Sequence, residues 1–278
     1  MKAFFASLPR IVGFRGAPGR AAEATLESLD RAGAEGADAV SLELRLTSDG
    51  EVVVAPDAEV VRGNRRVAVA SLTVADLAGG ALVAPALDAP LPLLRDVLLR
   101  YRGEGRYLLE LMPGPSPRPG LLEFRVGALL EQTGAVPRSV VLAVQPEPLR
   151  RIAELVPGCE TGLVLPAAAP TSADARPWPD LPAGCRSLAV PDPRATVPFL
   201  EAARAAGLHV HVFRVETPER AVELARNGVA SLVVRDPAPI RRALEEAGLV
   251  PPLLAGRAGA ATAASAASKE ALETVGDP

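Results

Sequence analysis

The sequence predicts one α/β fold, a (β/α)8 TIM barrel with a hairpin and loop insertion after the second strand. Three observations carry that expectation. The chain is 278 residues long, which fits one α/β barrel of typically ~250 residues plus a short tail. Short β-rich runs alternate with amphipathic helical stretches, the rhythm of βα units around a parallel sheet. Hydrophobic residues make up 49% of the chain and aromatic ones only 3%, so Ala, Val and Leu fill the core, as suits parallel strands covered by helices.

The strands are expected at Ile11–Phe14, Ala39–Leu46, Tyr107–Leu111, Ser139–Val144, Thr161–Leu165, Ser187–Val190, His209–Val215 and Ser231–Val234. That is the number a closed barrel needs. Helices are expected at Glu23–Ala34, Leu91–Tyr101, Gly120–Gln132, Glu147–Leu155, Val197–Ala206, Pro218–Arg226 and Pro239–Ala247. Several begin at Pro or Thr and end before Gly, as helix termini prefer. After the second strand, Ser48-Asp49-Gly50 signals a tight turn and Glu51–Ala55 a returning strand, which opens an insertion running to about Pro92 over the barrel mouth. Residues 1–250 are assigned to the barrel. Residues 251–278, rich in Ala, Ser and Gly with no apolar face, are assigned to a low-complexity mobile tail.

A formal net charge of -3 offers no general attraction to nucleic acid or to an anionic membrane. Lys2 and Lys269 are the only lysines, so the positive charge is nearly all arginine, which forks onto phosphate and carboxylate. Cys159 and Cys185 stand alone without CxxC spacing and read as buried free thiols. Pro9-Arg10 interrupts the apolar patch at the start, and no apolar run reaches spanning length, so a cytoplasmic protein without a membrane span is expected. Gly-x-Ser-x-Gly, P-loop and His-Glu-x-x-His patterns are absent from the sequence.

A series of short motifs runs through the barrel in order: Phe14-Arg15-Gly16, Glu23-Ala24-Thr25, Gly36-Ala37-Asp38 and Glu43-Leu44-Arg45. Thr47-Ser48-Asp49-Gly50, Val53-Val54-Ala55-Pro56-Asp57 with Arg62, and Leu108-Leu109-Glu110-Leu111-Met112 follow. Phe213-Arg214-Val215-Glu216 and Asp236-Pro237 come near the end. This order resembles the glycerophosphodiester phosphodiesterase family across essentially the whole barrel. The resemblance implies two histidines as general acid and base around a divalent metal, which a Glu-x-Asp pair and a third-strand glutamate would hold. Here the histidine positions are Phe14 and Pro56, the metal aspartate is Arg45 and the third-strand lysine is Met112.

Glu43 and Arg45 are two apart on a strand and share a face, and the next strand brings Glu110 alongside. Two carboxylates and a guanidinium give this group a charge of about -1, where three carboxylates would give about -3. Glu43, Arg45 and Glu110 are therefore read as a former metal site. Arg45 is expected to fill the cation's place by pairing with both glutamates, with no metal bound and no cofactor required.

Two readings of Arg15 stand: with Arg62 it holds a phosphate, or it completes the salt-bridge network. The expected function is an inactive barrel, a pseudoenzyme with an arginine-lined pocket for a phosphate or glycerophosphodiester ligand. A protein partner is also left open. The alternative is an active phosphodiesterase of lipid metabolism that uses Glu43, Glu110 and Arg15 with Mg²⁺ or Ca²⁺. His209 and His211, the only histidines, alternate with valines on one strand, and His211 is expected to be a hydrogen-bonded core residue below the rim at Phe213.

Overall fold

A computed structural model describes residues 9–19, 21–62, 64–78, 82–83, 91–114, 119–167 and 177–253. The apolar patch at the amino terminus and the expected tail beyond residue 253 lie outside them. The strands are β1 (Arg10–Phe14), β2 (Ala39–Leu46), β3 (Val52–Val54), β4 (Glu59–Arg62), β5 (Arg65–Ala68), β6 (Leu82–Val83), β7 (Tyr107–Leu111), β8 (Ser139–Ala143), β9 (Glu160–Val164), β10 (Cys185–Pro191), β11 (His209–Phe213) and β12 (Ser231–Val234). The helices are α1 (Leu26–Ala34), α2 (Val74–Ala78), α3 (Leu94–Arg100), α4 (Leu121–Thr133), α5 (Pro146–Leu155), α6 (Val197–Ala205), α7 (Pro218–Arg226) and α8 (Pro237–Glu246).

Strands β1, β2 and β7 to β12 pair in parallel, each with the next. β1 also pairs with β12, with Gly13 opposite Val234, and this closes the expected (β/α)8 barrel. Alternation along the strands sorts their side chains. Ile11, Leu42, Leu109, Val141, Leu188 and Val212 point outward into the large core beneath the helices. Val12, Ala39, Leu108, Val140, Ala189 and Val233 form a separate cluster inside the barrel, because neighbouring residues on a strand face opposite sides.

The turn after β2 carries Gly50 at φ +82, and β3 returns antiparallel with Arg45 opposite Val53. The insertion then forms the β4–β5 hairpin, with β6 paired to β4, and a small core of its own around Val53, Val60, Val69, Leu72 and Leu77. Helix α2 and strands β4 to β6 are too short to carry a periodic signal, so pattern reading saw only a loop there.

Element ends moved for local reasons. The first helix begins at Leu26 rather than Glu23, because Thr25 acts as its N-cap and accepts from the Ser28 amide at 3.2 Å. β11 stops at Phe213 rather than Val215, where Arg214 turns into the left-handed region at φ 62. Both cysteines are free and buried, as expected. Among the described residues, no helix is long and apolar enough to cross a membrane.

Candidate active site

The mouth of the barrel is built where β1, β2 and β7 end. β1 finishes at Phe14, and Arg15 follows in a left-handed conformation with φ 54. That strained turn is held by backbone contacts: the Arg15 amide donates to the Ser41 carbonyl at 3.1 Å, and the Arg15 carbonyl accepts from the Ala24 amide at 2.8 Å. Gly16 is required next, since it has φ +93 and a Cβ there would lie 2.3 Å from Ser28 Oγ.

The turn aims Arg15 across the mouth. Its Nε donates to Glu43 Oε1 at 2.8 Å and its Nη1 to Glu23 Oε1 at 2.8 Å. Its guanidinium lies 4.6 Å from the centre of the Phe14 ring, and that of Arg235 lies 6.0 Å from the same ring. Arg235 also approaches Glu23 Oε2 at 3.9 Å. Arg15 is therefore ion-paired, but with Glu43 and Glu23 rather than within the expected network of Arg45, Glu43 and Glu110. Its Nη2 is left without a protein partner among the described residues. Burial works against the Arg15 charge, but Glu43 and Glu23 outweigh it and raise its pKa. The side chain of Arg62, the expected second phosphate ligand, lies outside the described residues.

Glu43 and Glu110 stand level across the β2–β7 pair. Glu43 is only 7% exposed, and its Oε2 is buried with no hydrogen-bond partner among the described residues. Burial raises the Glu43 carboxyl despite its contact with Arg15. Burial and then the Glu43 charge push Glu110 up to about 7.

Arg45 corrects one expectation, since its guanidinium does not pair with Glu43 and Glu110. Its Nε donates to the Ala55 carbonyl at 3.2 Å, its Nη1 to the Pro113 carbonyl at 3.1 Å and its Nη2 to the Pro56 carbonyl at 3.3 Å. The β2–β3 turn brings those first and last acceptors within reach, whereas Arg15 already occupies the exposed edge of Glu43. Burial lowers its pKa and outweighs the attraction of Asp57, Glu43 and Glu110, none of which it contacts. Pro56, which the resemblance puts at the second histidine position, is buried, and its carbonyl accepts from Arg45.

A divalent ion at this site would need Glu43, Glu110 and a third oxygen donor from residue 45. The donor set does not fit. Glu43 Oε1 is engaged by a guanidinium, residue 45 is itself a cation, and a hard ion wants six or more oxygens. Among the described residues, no group of three or more His, Cys, Asp or Glu side chains is placed to hold a metal.

The histidines sit elsewhere. His209 opens β11, and its Nδ1 lies 2.7 Å from Glu160 Oε1. Ser187 donates to the same oxygen at 2.6 Å, so its hydroxyl proton is spent. His211 Nε2, 3.0 Å from Ser187 Oγ, must therefore be the N–H, leaving Nδ1 to accept from Ser231 Oγ at 2.8 Å. Complete burial pushes His211 down to about 4, which matches this neutral tautomer. His211 is thus a hydrogen-bonded core histidine, at the end of the barrel opposite Phe14.

Sequence reasoning missed two participants in the mouth, Glu23 and Arg235. Each adjoins a short motif that the sequence displays, Glu23-Ala24-Thr25 and Asp236-Pro237. Nothing local marks either as a partner of Phe14-Arg15. It also missed a cavity of about 480 Å³ beside the mouth, between the insertion and the starts of α4 and α5.

Comparison with known proteins adds family evidence. Residues 15–238 match the model of the glycerophosphoryl diester phosphodiesterase family. A Bacillus subtilis (strain 168) protein, YhdW, classed as a glycerophosphodiester phosphodiesterase, is 33% identical over 159 residues. The match covers 55% of this chain and spans 65% of the length of that relative. A solved structure from Silicibacter pomeroyi DSS-3, classed as a glycerophosphoryl diester phosphodiesterase, superposes with a TM-score of 0.75 at 24% identity, covering 87% of this chain and 95% of that one. A phosphodiesterase from Oleispira antarctica, solved with its product sn-glycerol-3-phosphate, gives 0.69 at 21% identity, covering 86% and 97%.

Proposed function

The chain belongs to the glycerophosphoryl diester phosphodiesterase family, and from that premise we propose that it binds a glycerophosphate-type ligand without hydrolysing it. One observation carries this reading. The chain's two histidines open β11 and stand at its middle, with His211 fully buried between two serines, while Phe14 stands at the rim. No imidazole is therefore available at the mouth, and each positioned proton-transfer group supplies roughly 10²–10⁴ in rate. Phe14 and Pro56 cannot move a proton.

The ligand class follows from the arginines and from the relative that holds sn-glycerol-3-phosphate. Arg15 Nη2 and the Arg45 guanidinium offer donors to a phosphate at the strands' C-terminal ends, where barrels of this kind place their ligands. In this reading the protein carries no metal, for the donor set described above, and resides in the cytoplasm.

The test follows glycerophosphocholine by phosphorus NMR with excess Mg²⁺, Ca²⁺ or Mn²⁺. No turnover is expected, whereas sn-glycerol 3-phosphate should raise the melting temperature and Arg15→Ala should abolish that rise. Metal-dependent turnover lost in Glu43→Ala would overturn the reading.

One observation favours a second reading, an active phosphodiesterase of lipid metabolism. Glu110, raised to about 7 by burial and by Glu43, has the proton affinity suited to acid–base work near neutral pH. In that case Glu110→Gln would abolish turnover.

A further inference from the structure

The cavity beside the mouth has a chemistry of its own. Its volume, about 480 Å³, lies within the range of small-molecule sites, roughly 300–1,000 Å³. Leu46, Val69, Met112, Leu122, Ala143 and Val144 give it apolar walls. Four charged residues border it: Arg45, Arg151, Glu59 and Glu123. Three of them are paired with opposite charges. Arg151 contacts Glu123 at 3.2 Å and Glu147 at 3.3 Å, and Glu59 approaches Arg66 at 3.8 Å. Arg45 is the one of the four with no ion-pair contact among the described residues: carbonyls take three of its five N–H groups, and Asp57, Glu43 and Glu110 act on it only at longer range. A guanidinium with two N–H groups unused among the described residues, at one end of an apolar hollow, fits an anion with an apolar body.

We propose that this cavity binds a phosphate ester of an apolar alcohol, with the phosphate on Arg45 and the alcohol against Met112, Leu122 and Val144. The proposal rests on the phosphate-binding reading above and narrows it, since it assigns the ester's second substituent to a hydrophobic site. Met112 supports the assignment. Its thioether stands where the family resemblance implies a lysine, so one wall that would have been charged is apolar.

The experiment titrates the full chain with inorganic phosphate, hexyl phosphate and hexanol by calorimetry. Hexyl phosphate is expected to bind at least tenfold more tightly than inorganic phosphate, with no detectable binding of hexanol. Arg45→Met should weaken hexyl phosphate at least tenfold. Val144→Glu, at a half-exposed position that folding tolerates, should do the same by adding a carboxylate to the wall. Equal affinity for hexyl phosphate and inorganic phosphate overturns the proposal, and so does undiminished binding in a folded Val144→Glu variant. Hydrolysis of glycerophosphocholine by the native chain would refute the inactive reading without altering this binding comparison, so the two failures are distinguishable.

Discussion

Glu110 stands level with Glu43 across the β2–β7 pair, so two carboxyls share the inner face of the barrel mouth, and among the described residues Arg15 alone ion-pairs with either. Burial and the neighbouring Glu43 lift Glu110 from its ordinary 4.5 to about 7. A carboxyl with a raised folded pKa binds more protons folded than unfolded, so it costs stability as pH rises from 4.5 through 7. Glu110→Gln should therefore stabilise the protein by about 3 kcal/mol at pH 8 and by nothing measurable at pH 4. Urea denaturation at both values checks it; an equal effect at each pH would contradict it.

His211 has the opposite sign. Burial depresses its folded pKa to about 4, so below its ordinary value of 6.5 the unfolded chain takes up a proton that the folded one refuses. Stability tied to this residue is present above pH 6.5 and is lost as pH falls towards 4. His209 runs the other way, because Glu160 raises it: its contribution is present below 6.5 and fades as pH rises through the raised value. His211→Gln should remove the acid-side loss, shrinking the stability difference between pH 7 and pH 5 by about 2 kcal/mol. Paired denaturant curves of the native chain and the variant measure this directly.

Arg241 fastens α8 to the start of β2. It is buried, its Nε and Nη2 donate to the Gly36 carbonyl at 2.9 and 2.7 Å, and Nη2 reaches Asp38 Oδ1 at 2.6 Å. Asp38 Oδ2 in turn accepts from the Ile11 amide at 2.9 Å. Arg241→Met keeps much of the side-chain volume but leaves the largely buried Asp38 carboxylate without its cation. A loss of about 3 kcal/mol is expected, read as a lower urea midpoint.

Rebuilding the family's residues tests the inactive reading from the other side. Phe14→His, Arg45→Asp, Pro56→His and Met112→Lys together should confer metal-dependent hydrolysis of glycerophosphocholine, visible by phosphorus NMR. The variant lacking only the Phe14→His change should fall roughly 10²–10⁴ below the full set.

Much of the architecture was legible because it rests on repetition. The β runs and amphipathic helices recur at barrel spacing, so closure between β1 and β12 could be anticipated from pattern alone. The insertion was legible only at its first turn, since its later strands run two to four residues and carry no period. At the mouth, the β2–β7 register fulfilled the expected Glu43–Glu110 adjacency. The partner of Arg45 could not be read. Its choice of the Ala55, Pro56 and Pro113 carbonyls depends on where two loops travel after their strands end. The preference of Arg15 for Glu23 and Glu43 likewise follows from a left-handed backbone turn that composition does not reveal.

Arg241 with Asp38, and Glu160 with Ser187 and the two histidines, sit where the strands begin. Phe14, Arg45, Pro56 and Met112, the positions that the family resemblance singles out, sit where strands end. The fold is thus anchored at one pole and carries its candidate site at the other. Substitutions at the mouth leave the anchoring contacts at the other pole untouched, so the site can be varied without unfolding the barrel.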